Sequence, residues 1–391
     1  MTFRLGLAGP ITVSRLKPWL DKGQDLSLGY GGVPVTDLAE CLLKLGWSLE
    51  IFTLDPLLGE SKILRGPRLR IHVGTQRRRA KLRVLDHFLR ERTWLRGRMA
   101  AADVDLVHAH WTYEYALAAL DSGHRTLISA HDAPKRVLAF VPDFYRWMRL
   151  WMARRVVKRA KRMTFVSPYL EKEWREHMGY AGRSWMIPNM ACLPGPEGGG
   201  GRRQGADFVC AANGWNALKN TATLLKAFSS FREKRPGATL ALLGYGHEAG
   251  GRAEAWARAH GAAAGVEFKG ALKRPALLGF VRTCRFYVLP SREEACPMAP
   301  LEAMALGLPV IGGQDIGGVP YVLGGGEAGL LADIESPESL EGAMSRVWED
   351  GALRRRLVAA GRRAVRGDFS PRSVTLAYIR AYGEIVGRDL R

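Results

Sequence analysis

The sequence predicts an α/β protein of two Rossmann-like, doubly wound domains facing across a cleft. Three observations carry that expectation. Short apolar runs rich in β-formers alternate with longer stretches of helical period. Those runs are apolar almost throughout rather than every second residue, the signature of parallel strands covered on both faces. The alternation stops once, at the glycine-rich stretch Pro194-Gly-Pro-Glu-Gly-Gly-Gly-Gly-Arg-Arg-Gln-Gly205, and then restarts. At 391 residues, each side has about the length of one such domain.

In chain order, the strands expected first are Phe3–Ala8, Leu49–Leu54, Leu69–Val73, Leu106–Ala109, Thr126–Ala130, Met163–Val166 and Trp185–Ile187. After the break come Phe208–Ala212, Thr239–Leu243, Val266–Lys269, Phe286–Leu289, Pro309–Gly312 and Leu330–Ala332. Helices are expected over Pro34–Leu45, Ala222–Arg232, Glu302–Leu306, Leu340–Trp348 and Ser373–Ile385. The reading gives a first domain at 1–192, a linker at 193–206 and a second domain at 207–370. A C-terminal helix at 371–391 has Ser370 and Pro371 as cap and first turn, and crosses back to the first domain. A ligand belongs at the carboxyl ends of the strands, in the cleft.

Composition narrows the function. Hydrophobic residues at 47% and charged residues at 25% describe an ordinary globular chain. No apolar run approaches the ~18 residues of a membrane span, and the start of the chain is too short and glycine-punctuated for a secretory leader. Five cysteines without a C-x-x-C pair point away from a disulfide framework or a zinc site, and towards a reducing cytosol. The net charge of +20 is uneven: residues 1–195 carry 32 basic and 18 acidic groups. Such a field draws polyanions, whether phosphorylated substrates, anionic lipid or nucleic acid. A nucleic-acid module would add stacking aromatics on a basic face or a recognisable motif, and neither is found. A dinucleotide oxidoreductase would need G-x-G-x-x-G after the first strand, which Gly6-Leu-Ala-Gly9 lacks.

The most informative stretch is Pro290-Ser-Arg-Glu-Glu-Ala-Cys-Pro-Met-Ala-Pro-Leu-Glu-Ala-Met-Ala-Leu-Gly-Leu-Pro-Val310. A strand ends, a loop carries acids, and a short helix holds Glu302 before Gly307 and Pro309 stop it. Carboxylates so placed accept hydrogen bonds from sugar hydroxyls. Glu294 and Glu302 are separated by seven residues. Together with P-S-x-x-E and E-A-M-A-x-G-x-P-V, this E-x7-E pattern closely resembles the donor-site motif of glycosyltransferase family 4. Asp105-Leu-Val-His-Ala-His110, Ser129-Ala-His131-Asp132, Ile187-Pro-Asn189, Gly244-Tyr-Gly246, Val266-Glu-Phe-Lys-Gly270 and Gly317-Gly-Val-Pro320 resemble further segments of that family. The likeness covers nearly the whole chain, with gaps at 56–100 and 190–206.

The resemblance implies a GT-B fold and a retaining, metal-independent transferase that needs no cofactor. It implies a nucleotide-diphosphate sugar of UDP or GDP type as donor, and a glycan or lipid-linked acceptor. Lys219 and the Gly317-Gly318 amides would take the diphosphate, with Gly31, Gly32 and Gly244 in glycine loops about the nucleotide sugar. Glu302 would bind ribose, and Glu294 the donor sugar, helped by the backbone of Ala295, Cys296, Pro297 and Met298. His110 would stand by the reacting sugar and His131 on the acceptor side. Position 214 departs from the family: an Arg common there is Gly214, so that either another basic group such as Arg292 or Arg15 substitutes or the diphosphate leans more on backbone amides. Asp103-Val-Asp105 is a formal D-x-D triplet, read as structural. The basic stretches Arg77–Arg83 and Arg146–Arg162, interleaved with Trp, Met and Leu, suit an anionic membrane surface on the cytoplasmic side. The competing readings are a sugar-nucleotide epimerase of the same fold and a degenerate protein that binds nucleotide sugar or polyanion without catalysis.

Overall fold

The computed structural model describes residues 3–24, 28–29, 31–192 and 205–390. The chain forms two compact units, Met1–Asn189 with Pro371–Arg391, and Met190–Ser370. Residues 193–204 of the expected linker lie outside the described residues.

The first unit is built on eight strands: β1 (Arg4–Ala8), β2 (Ser48–Asp55), β3 (Lys62–Gly66), β4 (Leu69–Thr75), β5 (Leu106–His110), β6 (Thr126–Ala130), β7 (Arg162–Phe165) and β8 (Arg183–Met186). They lie in the order β3-β4-β2-β1-β5-β6-β7-β8. All pairings are parallel except β3 with β4, which is antiparallel. This edge hairpin corrects the reading of parallel strands alone. Its turn, Gly66-Pro67-Arg68-Leu69, is too short for a helical crossover, so the chain can only reverse. The crossovers use α1 (Val33–Lys44), α2 (Ala80–Leu85), α3 (Leu89–Ala100), α4 (Glu114–Leu120), α5 (Pro134–Phe140), α6 (Phe144–Val157) and α7 (Pro168–Lys172). The interior strands are apolar on both faces: every residue of β5 is buried, its two histidines included.

The second unit has six parallel strands: β9 (Phe208–Ala211), β10 (Leu240–Leu243), β11 (Val266–Gly270), β12 (Phe286–Leu289), β13 (Val310–Gly313) and β14 (Leu330–Ala332), in the order β11-β10-β9-β12-β13-β14. Its helices are α8 (Thr221–Lys234), α9 (Arg252–Ala259), α10 (Arg274–Thr283), α11 (Met298–Ala305), α12 (Val319–Val322), α13 (Pro337–Glu349) and α14 (Gly351–Arg366). An aromatic knot anchors the core, with the Phe208 ring 5.1 Å from Phe231 and 5.0 Å from Phe286. Sequential strands flank β9 on either side, so the chain reverses its winding between β9 and β12. Loops diverge at such a point and leave room for a ligand.

The last helix, α15 (Pro371–Val386), belongs to the first unit. It buries Val374, Tyr378, Ile379, Tyr382 and Ile385. Tyr382 packs near Phe3 and Trp47, and its hydroxyl is 2.7 Å from His108 Nδ1. That hydrogen bond matters because both partners are fully buried and would otherwise lose water without replacement.

Candidate functional site

In the second unit, three loops at the carboxyl ends of neighbouring strands are tied together. The loop after β9 runs to Asn220, which takes a left-handed φ of 50° and starts α8. Asn220 is held there by Nδ2, which donates to the Ile334 carbonyl at 2.8 Å, and by Thr223, which donates to its Oδ1 at 2.7 Å. This fixes the preceding Lys219. The loop after β12 meets it: Arg292 N donates to the Leu218 carbonyl at 2.8 Å. Lys219 Nζ then donates to Glu294 Oε1 at 2.7 Å, with both side chains about one-fifth exposed. The loop after β13 joins from the other side, since Gly318 N donates to the Glu294 carbonyl at 2.7 Å. One carboxylate, one ammonium and a glycine loop thus converge from three strands.

Glu302 lies one turn into α11, after Ala295, Cys296, Pro297 and Met298 have turned the chain. It is 8% exposed and ion-paired: Arg274 Nη2 and Nε donate to its Oε1 at 2.6 and 3.1 Å. Arg274 Nη2 also donates to the Cys192 carbonyl at 2.8 Å. Sequence reasoning missed Arg274. The only available signal was its place at the start of a helix, just after the Val266–Gly270 segment. Gly244 has φ of +108°, and a Cβ there would lie 2.0 Å from the Ala212 carbonyl oxygen, so no side chain fits. Its neighbour Tyr245 returns a carbonyl to Gly214 N at 2.7 Å, linking the loops after β9 and β10.

Three expectations need correction. Gly318 N–H is already spent on the Glu294 carbonyl, so of the Gly317-Gly318 pair it is Gly317 whose amide has no partner among the described residues. Arg292 does not stand in for the missing cation. Its fork grips Glu335 at 2.6 Å twice, and its third nitrogen donates to the Ala217 carbonyl at 2.7 Å. Arg15, in the first unit, is likewise held by Asp37 at 2.7 Å and Glu40 at 2.8 Å. The glycine at 214 is also more than a truncated arginine: its φ of +104° is left-handed, a conformation an L-residue adopts only under strain.

The remaining candidates belong to the first unit. Gly31 and Gly32 have φ of +77° and +65° and lead into α1; a Cβ on Gly32 would meet the Pro10 carbonyl oxygen at 1.7 Å. At the carboxyl ends of β5 and β6, His110 Nδ1 is 2.9 Å from His131 Nε2. His110 is 1% exposed, and its Nε2 has no partner among the described residues. Burial pushes His110 well below the usual histidine range and His131 down to about 4, so both are neutral at physiological pH. Trp111, next along, takes a left-handed φ of +64° and sets its ring 4.6 Å from His131. A bulky residue held that way stores strain, which accumulates at functional sites. His108 faces the core, bonded to Tyr382 and at 2.7 Å to Ser129. Asp103 and Asp105 of the D-x-D triplet both bind Arg4: Asp103 pairs with the Arg4 guanidinium, and Asp105 Oδ2 accepts from the Arg4 backbone N–H at 2.8 Å. They lie at the opposite end of the sheet from His110.

The two halves of the chain match two family models. Residues 201–364 match glycosyl transferases group 1, and residues 31–191 match glycosyltransferase family 4. A D-inositol 3-phosphate glycosyltransferase of Jonesia denitrificans is 31% identical over 163 residues, which are 40% of this chain and 38% of that relative. The chain spans about two-fifths of the length of the curated relatives it matches. Among solved structures, sucrose-phosphate synthase from Thermosynechococcus elongatus superposes with a TM-score of 0.77 at 20% identity, over 98% of this chain and 99% of that one. Anabaena HepE in complex with UDP-glucose gives 0.65 at 14% identity, over 97% and 99%. Both structures share the architecture of two Rossmann-like units. With the two family models together covering residues 31–191 and 201–364, and with them the motifs described above, the chain belongs to the family 4 glycosyltransferases of GT-B fold.

Proposed function

We propose that the chain is a retaining glycosyltransferase that moves a sugar from a nucleoside diphosphate sugar, of UDP or GDP type, to a hydroxyl of a glycan or lipid-linked acceptor. The observation that carries this reading is the Lys219–Glu294–Gly318 junction, with Glu302 one turn into α11. Glycosyl transfer must stabilise negative charge on a departing diphosphate and hold a hydroxyl near the anomeric carbon. Lys219 supplies a cation and Gly317 an amide for the first task. Glu294 supplies a carboxylate for sugar hydroxyls and Glu302 one for ribose hydroxyls, the latter held in place by Arg274.

In this reading the anomeric carbon–oxygen bond to phosphate breaks as the bond to the acceptor oxygen forms on the same face. The proton passes from the acceptor hydroxyl to the leaving phosphate oxygen. His110 would hydrogen-bond the donor sugar. A neutral imidazole can donate from Nε2 when its Nδ1 accepts from His131 Nε2–H, and its depressed basicity makes it a poor proton acceptor. The test is the transfer reaction itself. Incubation with a panel of sugar nucleotides and sugar acceptors should release one nucleoside diphosphate, and NMR of the product should show retained anomeric configuration. Product of inverted configuration, or no turnover with any pair, would refute it.

A finer reading concerns the membrane. Among the described residues, five of the nine exposed large hydrophobics are Leu82, Leu85, Leu89, Phe144 and Trp147, on α2, α3 and α6. The Phe144 and Trp147 rings stack at 5.8 Å, and the exposed Arg79, Arg90, Arg154, Arg155 and Lys158 belong to the same stretches. Apolar tips among arginines suit an anionic bilayer surface. No helix among the described residues is long and apolar enough to cross a membrane. Co-sedimentation with vesicles containing phosphatidylglycerol should be strong at low salt, and should fall for Leu85→Ser/Trp147→Ser. Equal recovery with and without vesicles would remove this surface from the account.

A further inference from the structure

A cavity of about 190 Å³ lies wholly within the first unit, lined in part by Tyr113, Asp132, Tyr145, Arg146 and Arg149. It opens where ligands bind in doubly wound sheets: Tyr113 follows the end of β5, Asp132 follows the end of β6, and Tyr145 and Arg149 stand one turn apart on α6. His131, paired to His110, is the residue before Asp132. The wall is an ordered polar network. Tyr113 is 1% exposed and its hydroxyl donates to Asp132 Oδ2 at 2.7 Å. The Arg149 guanidinium lies 3.6 Å from the Tyr113 ring centroid, donates to the Tyr145 hydroxyl at 2.9 Å and approaches Asp132 Oδ2 at 4.0 Å.

The network is unfinished. A guanidinium has five N–H donors, and among the described residues Arg149 spends them only on the hydroxyls of Tyr145 and Tyr113. Asp132 Oδ1 is buried without a partner among the described residues. A purely structural ion pair would close on itself, as Arg292 does on Glu335; this one leaves donors and an acceptor over in a cavity wall. Each cation here already faces a carboxylate. Asp132 and Glu114 both lie in the field of Arg149, and Arg146 is held by Asp143. An anion entering here meets a cation whose charge Asp132 offsets. A pair of adjacent sugar hydroxyls, each able to donate and accept, meets its complement: a carboxylate, a guanidinium and aromatic faces.

We propose that this cavity is an acceptor subsite for the adjacent hydroxyls of an uncharged sugar residue, with Asp132 as the residue that turns away phosphorylated acceptors. The assignment rests on the glycosyl-transfer reading, but its test does not need transfer. Saturation-transfer NMR on the full chain would compare methyl α-D-glucoside, mannoside and galactoside with glucose 6-phosphate and mannose 6-phosphate. At least one methyl hexoside is expected to bind at least tenfold more tightly than either hexose phosphate. Asp132→Asn, which is isosteric and can still accept from Tyr113, is expected to weaken the hexoside about tenfold and to strengthen the phosphates. Tighter binding of a phosphate by the unsubstituted protein would overturn the proposal. So would an unchanged preference in Asp132→Asn, or binding of neither class. If Asp132→Asn also loses its response to UDP in the second unit, it has misfolded, and the comparison on the unsubstituted protein decides alone. A failed transferase reading would instead be seen as absent UDP binding in the unsubstituted protein.

Discussion

Replacing Lys219 by Met keeps the length of the side chain and removes its charge. Lys219 Nζ is 2.7 Å from Glu294 Oε1, with the two side chains 21% and 19% exposed. A pair so open to water contributes at most about 1 kcal/mol to folding. In a unit of this size the melting temperature should therefore fall by no more than about 4 °C. Function should suffer far more. With donor bound, Lys219 exchanges a carboxylate for a diphosphate on which charge grows as the bond breaks. A charge-assisted hydrogen bond contributes about 1.5–3 kcal/mol in the ground state. A preorganised donor aimed at developing charge contributes about 3–4 kcal/mol at the transition state. The account therefore predicts about 10- to 150-fold weaker UDP binding and a fall in kcat/KM of about 10²- to 10³-fold. The assays are calorimetric titration with UDP and steady-state release of UDP at saturating acceptor. A Lys219→Met protein with kcat/KM within twofold of the parent would refute the role of Lys219. A loss of activity accompanied by a collapse in melting temperature would refute the claim that the pair is functional rather than structural.

Glu294→Gln should keep UDP affinity within about threefold, because the carboxylate is assigned to the sugar, while transfer falls about 10²-fold or more; parallel titration and turnover check this. Tyr382→Phe strands His108 Nδ1 in the core and should cost about 1–3 kcal/mol in urea unfolding, whereas Tyr382→Ala adds a cavity and should cost about 3–5 kcal/mol. Burial holds His108 at about 3 and His131 at about 4, below the unfolded value of about 6.5, so the unfolded chain binds more protons at acid pH. Stability present above pH 6.5 is then lost as pH falls towards 4, by up to about 1.4 kcal/mol per pH unit for each histidine; melting curves from pH 7.5 to 5 should show it, and His108→Gln should flatten the slope. Gly244→Ala should abolish the UDP response, since its Cβ would stand 2.0 Å from a carbonyl oxygen and force the loop open.

Thirteen strands were legible, most of them because each is a short apolar run between turn residues, and a parallel strand buried on both faces admits little else; the edge strands β8 and β11 are only partly buried. The strand β3 was not. Its Lys62-Ile-Leu-Arg-Gly66 carries only two apolar residues, and its partner is fixed by a two-residue turn rather than by a pattern of its own. The positions of Glu294 and Glu302 were legible from their spacing. Their partners were not, because Lys219 is 75 residues from Glu294 and Arg274 is 28 from Glu302, and nothing local to either glutamate announces which cation it meets. Arg292 and Arg15 misled for the same reason: a basic residue near a motif looks available until its carboxylate partner is known. The Tyr113–Asp132–Arg149 network joins residues from two strand ends and a helix, each unremarkable alone.

The central claim is that the second unit holds a nucleoside diphosphate through Lys219, Glu294 and Glu302. Thermal unfolding with UDP, GDP, ADP and CMP, and their common sugar conjugates, tests it most directly, because a ligand bound only to the folded state at 100 times its Kd stabilises by about 2.7 kcal/mol. The account predicts a rise in melting temperature with one diphosphate and its sugar conjugate, absent for CMP and abolished by Glu302→Ala. No rise with any nucleotide, or a rise that survives Glu302→Ala undiminished, would contradict it.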